Sequence, residues 1–305
     1  MAGRAVASPT EVGREVAAGA PRVGSAGEVV RRLSDAALQG GAYLLLTAWA
    51  LLAVVPVYWM VVSAFKAQTD NLTVPPQWIP DPVVLDNFRA LFRNAYIGRW
   101  FVNSLVVAVA ITALQLLFNS MAGYAFAKLR FPGRMAIFWG LMATLMVPGL
   151  VTLIPLFIMF SNFKLLDTYW VLILPHAVSI WGIFLMKQFM QTLPSSLFDA
   201  ARIDACSEFG IYWKIVLPLA KPGLAVLAIF TFVAEWNSFF WWLLFTNSQA
   251  MRNLQVGLTY YRYENQIDWG PIMAGTVIAA LPVIAVFFAF QRYFLRGLTI
   301  GAVKG

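Results

Sequence analysis

Residues 100–127 read WFVNSLVVAVAITALQLLFNSMAGYAFA, a run without a single Asp, Glu, Lys or Arg. The hydrocarbon core of a bilayer is crossed by about 20 mostly apolar helical residues, so this stretch is long enough to span one. Five others share its character: Ala42–Phe65, Met135–Phe160, Tyr169–Phe189, Leu224–Phe245 and Ile272–Phe294. A helix satisfies its own backbone hydrogen bonds in lipid. The pattern therefore predicts an all-α membrane protein of six transmembrane helices. Composition agrees, with 60% hydrophobic and only 12% charged residues among 305 and a mean hydropathy of +0.72. Soluble domains carry about 25% charged residues, which argues against a soluble enzyme, a disordered chain or a nucleic-acid module. Pro56, Pro148, Pro155, Pro175 and Pro282 fall inside four of the spans. Kinked packing and a hinge beside a pathway are both open readings of them.

The net charge of +8 needs no acidic ligand here, because Lys and Arg gather in cytoplasmic loops. Counted on alternate sides of the six spans, fifteen fall with the N-terminus and seven opposite. Both termini of this multi-pass protein are thus expected in the cytoplasm. Residues 1–40 hold five Arg and no apolar run, and read as a flexible cytoplasmic extension ahead of a membrane-spanning domain over 41–305. The single Cys206 and single His176 argue against a disulfide framework and against Cys- or His-based metal chemistry. No phosphate-binding Gly-x-x-x-x-Gly-Lys-Ser/Thr loop occurs, so the chain is expected to hydrolyse no ATP. No catalytic residue, metal site or cofactor is assigned to it.

The loop between the fourth and fifth spans is longer than a connector needs to be. Residues 193–222 read LPSSLFDAARIDACSEFGIYWKIVLPLAKP. Pro194 with Ser195 or Ser196 supplies helix-start chemistry, and Leu197, Ala200, Ala201 and Asp204 follow helical spacing. Ser207 and Glu208 suit the start of a second short helix. Ile211, Ile215 and Leu217 give that helix an apolar side available to a partner's groove, and Pro218 and Pro222 are expected to end it. The expectation is a helix–turn–helix on the cytoplasmic face.

This loop resembles the cytoplasmic signature of permease subunits of binding-protein-dependent ABC importers. That signature, Glu-Ala-Ala, two variable residues, Asp-Gly and later Ile-x-Leu-Pro, is matched by Asp199-Ala200-Ala201-Arg202-Ile203-Asp204-Ala205 and by Ile215-Val216-Leu217-Pro218. Phe131-Pro132-Gly133, Glu235-Trp236-Asn237 and the tail from Arg296 to Gly305 look like the MalG-like carbohydrate branch. The resemblance implies an ATPase-coupling role for Asp199, Ala200, Ala201, Asp204, Ala205, Ile215, Leu217 and Pro218. It also implies a second permease, two ATPase subunits that bind ATP and Mg, an extracytoplasmic binding protein, and a di- or oligosaccharide or a sugar or glycerol phosphate as cargo. Asp199 stands where the family has Glu, and Ala205 where it has Gly. If the turn is left-handed at that position, Ala costs about 1–2 kcal/mol there.

Glu235 is the only acidic residue inside any span. A carboxylate at that depth faces the bundle interior, a partner chain or water, so it reads either as a group on the substrate path or as an inter-chain contact. Asn237, Asn119, Gln115 and Thr152 are weaker path candidates, each also readable as a helix–helix hydrogen bond. Trp236 could stack on a sugar or sit at the membrane interface. A proton-coupled carrier, the alternative class, usually needs a relay of intramembrane acids, and this chain offers one.

Overall fold

The structure, a computed structural model, describes residues 26–67, 70–71, 73–94, 96–263 and 266–302. The chain divides into two units, residues 1–58 and 59–305. Helix α1, Ala26–Ala64, carries Pro56 and begins inside the stretch read as an extension. The remainder of that stretch, 1–25, lies outside the described residues.

In the second unit the short α2, Asp86–Arg93, precedes the long α3, Ile97–Lys128. The third span is not one helix. It runs as α4, Arg134–Thr144, and α5, Gly149–Asn162, bent by 91° at the break. Pro148 is the reason: it has no N–H to donate, and it disfavours helical backbone at Val147. Leu145, Met146 and Val147 each bond three residues back, tightening the chain into a turn, and Pro148 caps α5 instead of lying within a helix.

The fourth span holds α6, Tyr169–Ile173, a 3₁₀ turn at Leu174–His176 around Pro175, and α7, Ile180–Gln191. Beyond it come α8, Ser195–Ile203, and α9, Glu208–Ile211. A π-helical turn at Tyr212–Val216 leads into the short α10, Leu217–Leu219. The fifth span is shorter than expected, since α11, Lys221–Trp236, covers about 24 Å at 1.5 Å per residue. Asn237 caps it and α12, Phe240–Phe245, resumes after the break. Helix α13, Leu254–Leu258, and a hairpin of β1, Arg262–Tyr263, with β2, Gln266–Ile267, connect to α14, Trp269–Ala302. Among the described residues four helical segments are each long and apolar enough to cross a membrane, and counting each bent pair as one span gives up to six.

Helix α3 is the centre of the packing, with Trp100, Val107, Ala108 and Ile111 all buried along it. Lipid tails are as apolar as Leu, so helices in a membrane associate through close approach and polar contacts rather than through burial from water. Gly123 of α3 shows the closeness: a Cβ there would stand 2.6 Å from the Cβ of Met186 on α7.

Candidate functional site

The hairpin after α7 is built from local rules. Helix α8 starts at Pro194, whose φ of −60° suits a helix entry. It closes in a Schellman motif: Ala205 N–H donates to Arg202 O and Cys206 N–H to Ala201 O, both at 3.0 Å. That motif needs a left-handed residue, and Ala205 fills it with φ +58°. Ala205 is therefore an alanine in a conformation that glycine adopts without strain. Ser207 then caps α9, its hydroxyl accepting the Gly210 N–H at 3.1 Å. Pro218 and Pro222 do not end the second helix. Each lies at the first turn of the next helix, α10 and α11, where a proline's absent N–H leaves nothing unpaired.

A polar clamp fixes this hairpin to α3. Tyr124 donates its hydroxyl to Glu208 Oε2 at 2.6 Å, while Arg202 Nε reaches Glu208 Oε1 at 2.7 Å and its Nη1 reaches Asp199 at 3.0 Å. The Arg202 guanidinium holds the Glu208 carboxyl below the usual carboxylate range. Tyr212 shares a 2.7 Å hydrogen bond with Ser120, and Lys128 donates to Leu193 O at 2.6 Å. Phe198, Ile211, Tyr212 and Val216 are buried beneath. A cleft of about 660 Å³ opens beside the clamp, lined among others by Lys128, Arg130, Phe198, Asp199 and Glu208.

Of the sequence-assigned coupling residues, Asp199, Ala200, Asp204, Ala205 and Pro218 are exposed, whereas Ala201 is buried. The apolar side read as a partner surface turns inward. Ile211 is fully buried, and Ile215 and Leu217 pack against the same cluster, to which α3 contributes Tyr124 and α7 contributes Met186 and Met190. The exposed apolar residues are different ones: Ile203 at 85%, Phe209 at 60%, Trp213 at 46% and Leu197 at 44%.

The path candidates separate as clearly. Gln115 and Asn119 repair the break in span four: Gln115 donates to His176 O at 2.8 Å and Asn119 Oδ1 accepts the Ser179 N–H at 3.1 Å. These are backbone groups that a Pro-broken helix leaves orphaned. Thr231 of α11 donates to Gln115 at 3.0 Å, joining three helices. Trp236 is buried and its indole donates to Ala279 O at 2.9 Å, tying α11 to α14. Asn237 and Thr152 are exposed and bond within their own helices, to Val233 O and Gly149 O. Glu235 lines a pocket of about 270 Å³ with Gln115, Ser179, Trp181, Phe230, Thr231 and Ala234. Sequence reading did not single out Tyr124, Trp181 or Phe230. Only the tertiary approach of α3, α7 and α11 gives them a role.

A multi-span helical chain with a clamped hairpin at the start of its fifth span is the architecture of a transport permease. The chain belongs to the family of binding-protein-dependent transport system inner membrane components, which it matches over residues 115–300. It is 38% identical over 259 residues to the arabinooligosaccharide transport system permease AraQ of Halalkalibacterium halodurans, covering 84% of this chain and 93% of that one. It is 34% identical over 264 residues to the sn-glycerol-3-phosphate transport system permease UgpE of Yersinia enterocolitica, covering 84% and 94%. Its fold is similar to a chain of a bacterial ABC transporter involved in the import of the acidic polysaccharide alginate, with a TM-score of 0.77, 22% identity, and coverage of 86% and 98%.

Proposed function

We propose that this permease forms one half of the translocation pathway of an ATP-driven importer for a carbohydrate, pairing with a second permease on two ATPase subunits. An extracytoplasmic binding protein delivers the cargo, and ATP and Mg are held by the ATPases. The observation that carries the coupling role is the hairpin from Ser195 to Leu219. Its inner face is locked to α3, and its outer face presents Leu197, Ile203, Phe209 and Trp213 beside the charged Asp199 and Asp204. An apolar face of short helices fits a groove on a partner. Closure of that groove would carry α3 and α11 with the hairpin, because the clamp and the 77° bend at Ala220 leave no long flexible joint between them. Coupling of this kind needs an element that both sites bias.

The asymmetry of Lys and Arg supports a cytoplasmic hairpin and cytoplasmic termini. The cargo class rests on the relatives, of which AraQ is a permease for arabinooligosaccharides and UgpE one for glycerol-3-phosphate.

The exposed Cys206, the chain's single cysteine, is a built-in probe for this reading. A membrane-impermeant maleimide should label it in inside-out vesicles and not in right-side-out ones. Assembly with the ATPase subunits should then shield it. Labelling from outside would reverse the topology, and unchanged labelling in the assembled importer would remove the hairpin from the ATPase contact.

A further inference from the structure

Between α3, α7 and α11 lies the pocket of about 270 Å³ that contains Glu235. Its polar lining is mostly committed: Gln115 bonds His176 O and Thr231, and the Ser179 hydroxyl accepts the Gly182 N–H at 3.3 Å. Two groups are not. Among the described residues no hydrogen bond engages the Glu235 carboxyl or the Trp181 indole N–H. The ionisable side chain that acts electrostatically on Glu235 is His176, and no Lys or Arg lines the pocket. The Trp181 and Phe230 rings meet edge-to-face at 5.6 Å, and each is about half exposed. The site thus offers an open aromatic face, one acceptor and one donor.

We propose that this pocket is a contact point for a single neutral sugar residue as it passes through the permease, with the Trp181 ring as the stacking face, Phe230 packed edge-to-face beside it and Glu235 receiving a hydroxyl. The inference rests on the carbohydrate reading above and narrows it. The volume lies below the about 300–1,000 Å³ of pockets for drug-sized ligands, which suits one ring rather than a whole oligosaccharide. The C–H face of a sugar ring packs against an aromatic ring, and its hydroxyls both donate and accept, matching the indole N–H and the carboxylate. A phosphate or a uronate carboxylate meets no cation on the pocket wall and would lie near the Glu235 carboxyl. A lipid tail would leave both polar groups unpaired, which is costly inside a membrane. The relatives include permeases for a neutral and for an anionic cargo, so their names do not decide the charge of this one. The pocket, with one carboxyl and no cation in its lining, favours a neutral ring.

The test uses the complete importer in proteoliposomes with its binding protein, supplied with arabinan, chitin and starch hydrolysates, glycerol-3-phosphate and alginate oligomers, with uptake read by mass spectrometry. Neutral oligosaccharides should enter and the two anionic probes should not. Trp181→Ala should lower uptake tenfold or more, Trp181→Phe should restore most of it, and Glu235→Gln should lower it by about tenfold, the size expected when a hydrogen bond to a charged group is replaced. The second permease should co-purify with all three variants. Wild-type uptake in Trp181→Ala and Glu235→Gln overturns the subsite. Loss of uptake only together with loss of the second permease shows a helix–helix contact instead, and also overturns it. Uptake of the anionic probes at rates matching the neutral ones overturns the selectivity. Failure of every saccharide to enter defeats the carbohydrate reading itself, a result distinct from the others.

Discussion

Tyr124 on α3 and Glu208 on α9 are 84 positions apart in the chain, and their side chains meet in a 2.6 Å hydrogen bond. Glu208 also receives Arg202, so one carboxylate joins both arms of the hairpin to the central helix. Tyr124→Phe removes this link while keeping the ring packed against Phe198 and Tyr212. A hydrogen bond to a charged group contributes about 1.5–3 kcal/mol when buried, and less at a carboxylate that is partly exposed like this one. The expected result is an assembled importer that hydrolyses ATP but transports several-fold less substrate per ATP. An unchanged ratio of uptake to hydrolysis would show that the hairpin needs no such tie.

The same carboxylate sets a pH dependence. Arg202 lowers the Glu208 pKa in the folded protein, so the ionised form is the one that stabilises. That contribution is complete above the unfolded value of about 4.3 and is lost as pH falls through the lower folded value. Amide exchange in Ser207–Tyr212 should therefore stay slow at pH 5 and accelerate on acidification below pH 4. In Glu208→Gln it should be faster at neutral pH and respond far less to acid.

Ala205 holds a left-handed conformation that glycine adopts without strain. Replacing it by Gly should raise stability by about 1 kcal/mol, the lower end of the penalty for an L-residue there. The readout is the thermal midpoint of the detergent-solubilised permease, with uptake retained. Ala205→Pro cannot reach φ +58°, and it should leave the protein inserted in the membrane but poorly associated with its ATPase. A higher midpoint for Ala205→Pro would contradict the turn geometry.

The sequence made the long spans and their order readable because a mostly apolar run of twenty residues has few other uses. Four of the six stretches are helices able to cross a membrane alone or nearly so, and the other two are bent pairs. Breaks within those runs were harder to see. Pro148 and Pro155 both fall in the third stretch, yet Pro148 breaks it whereas Pro155 is carried inside α5. The difference lies in the residues before Pro148, where Leu145, Met146 and Val147 bond three residues back instead of four. Gln115 and Asn119 could be recognised as polar groups in a span, but their service to the broken span four depends on which helix faces α3. Trp236 was read for its ring chemistry. Its burial against Ala279 is set by α14, more than forty residues away. Helical spacing grouped Ile211 and Ile215 on one apolar side of the hairpin, but which surface covers that side depends on Tyr124, Met186 and Met190 of α3 and α7, which only the tertiary fold brings there.

Gly182 tests the packing that places the pocket. A Cβ at this position would lie 2.2 Å from the Asn119 amide nitrogen and 3.1 Å from the Leu227 Cδ1. Asn119 cannot retreat without releasing the Ser179 N–H at the start of α7. Gly182→Ala should therefore cost about 2 kcal/mol, combining overpacking with an orphaned, partly buried donor. Asn119→Ala alone should also destabilise, because it frees the same donor. The two changes together should be less harmful than their sum, since the smaller side chain makes room for the new methyl group. A double-mutant cycle on the thermal midpoints, converted to free energies, measures that coupling, and 0.5 kcal/mol or more in the compensating direction is expected. Strict additivity would mean that α7 shifts as a whole to admit the methyl group, and that the close approach of α3 and α7 is not fixed by this pair.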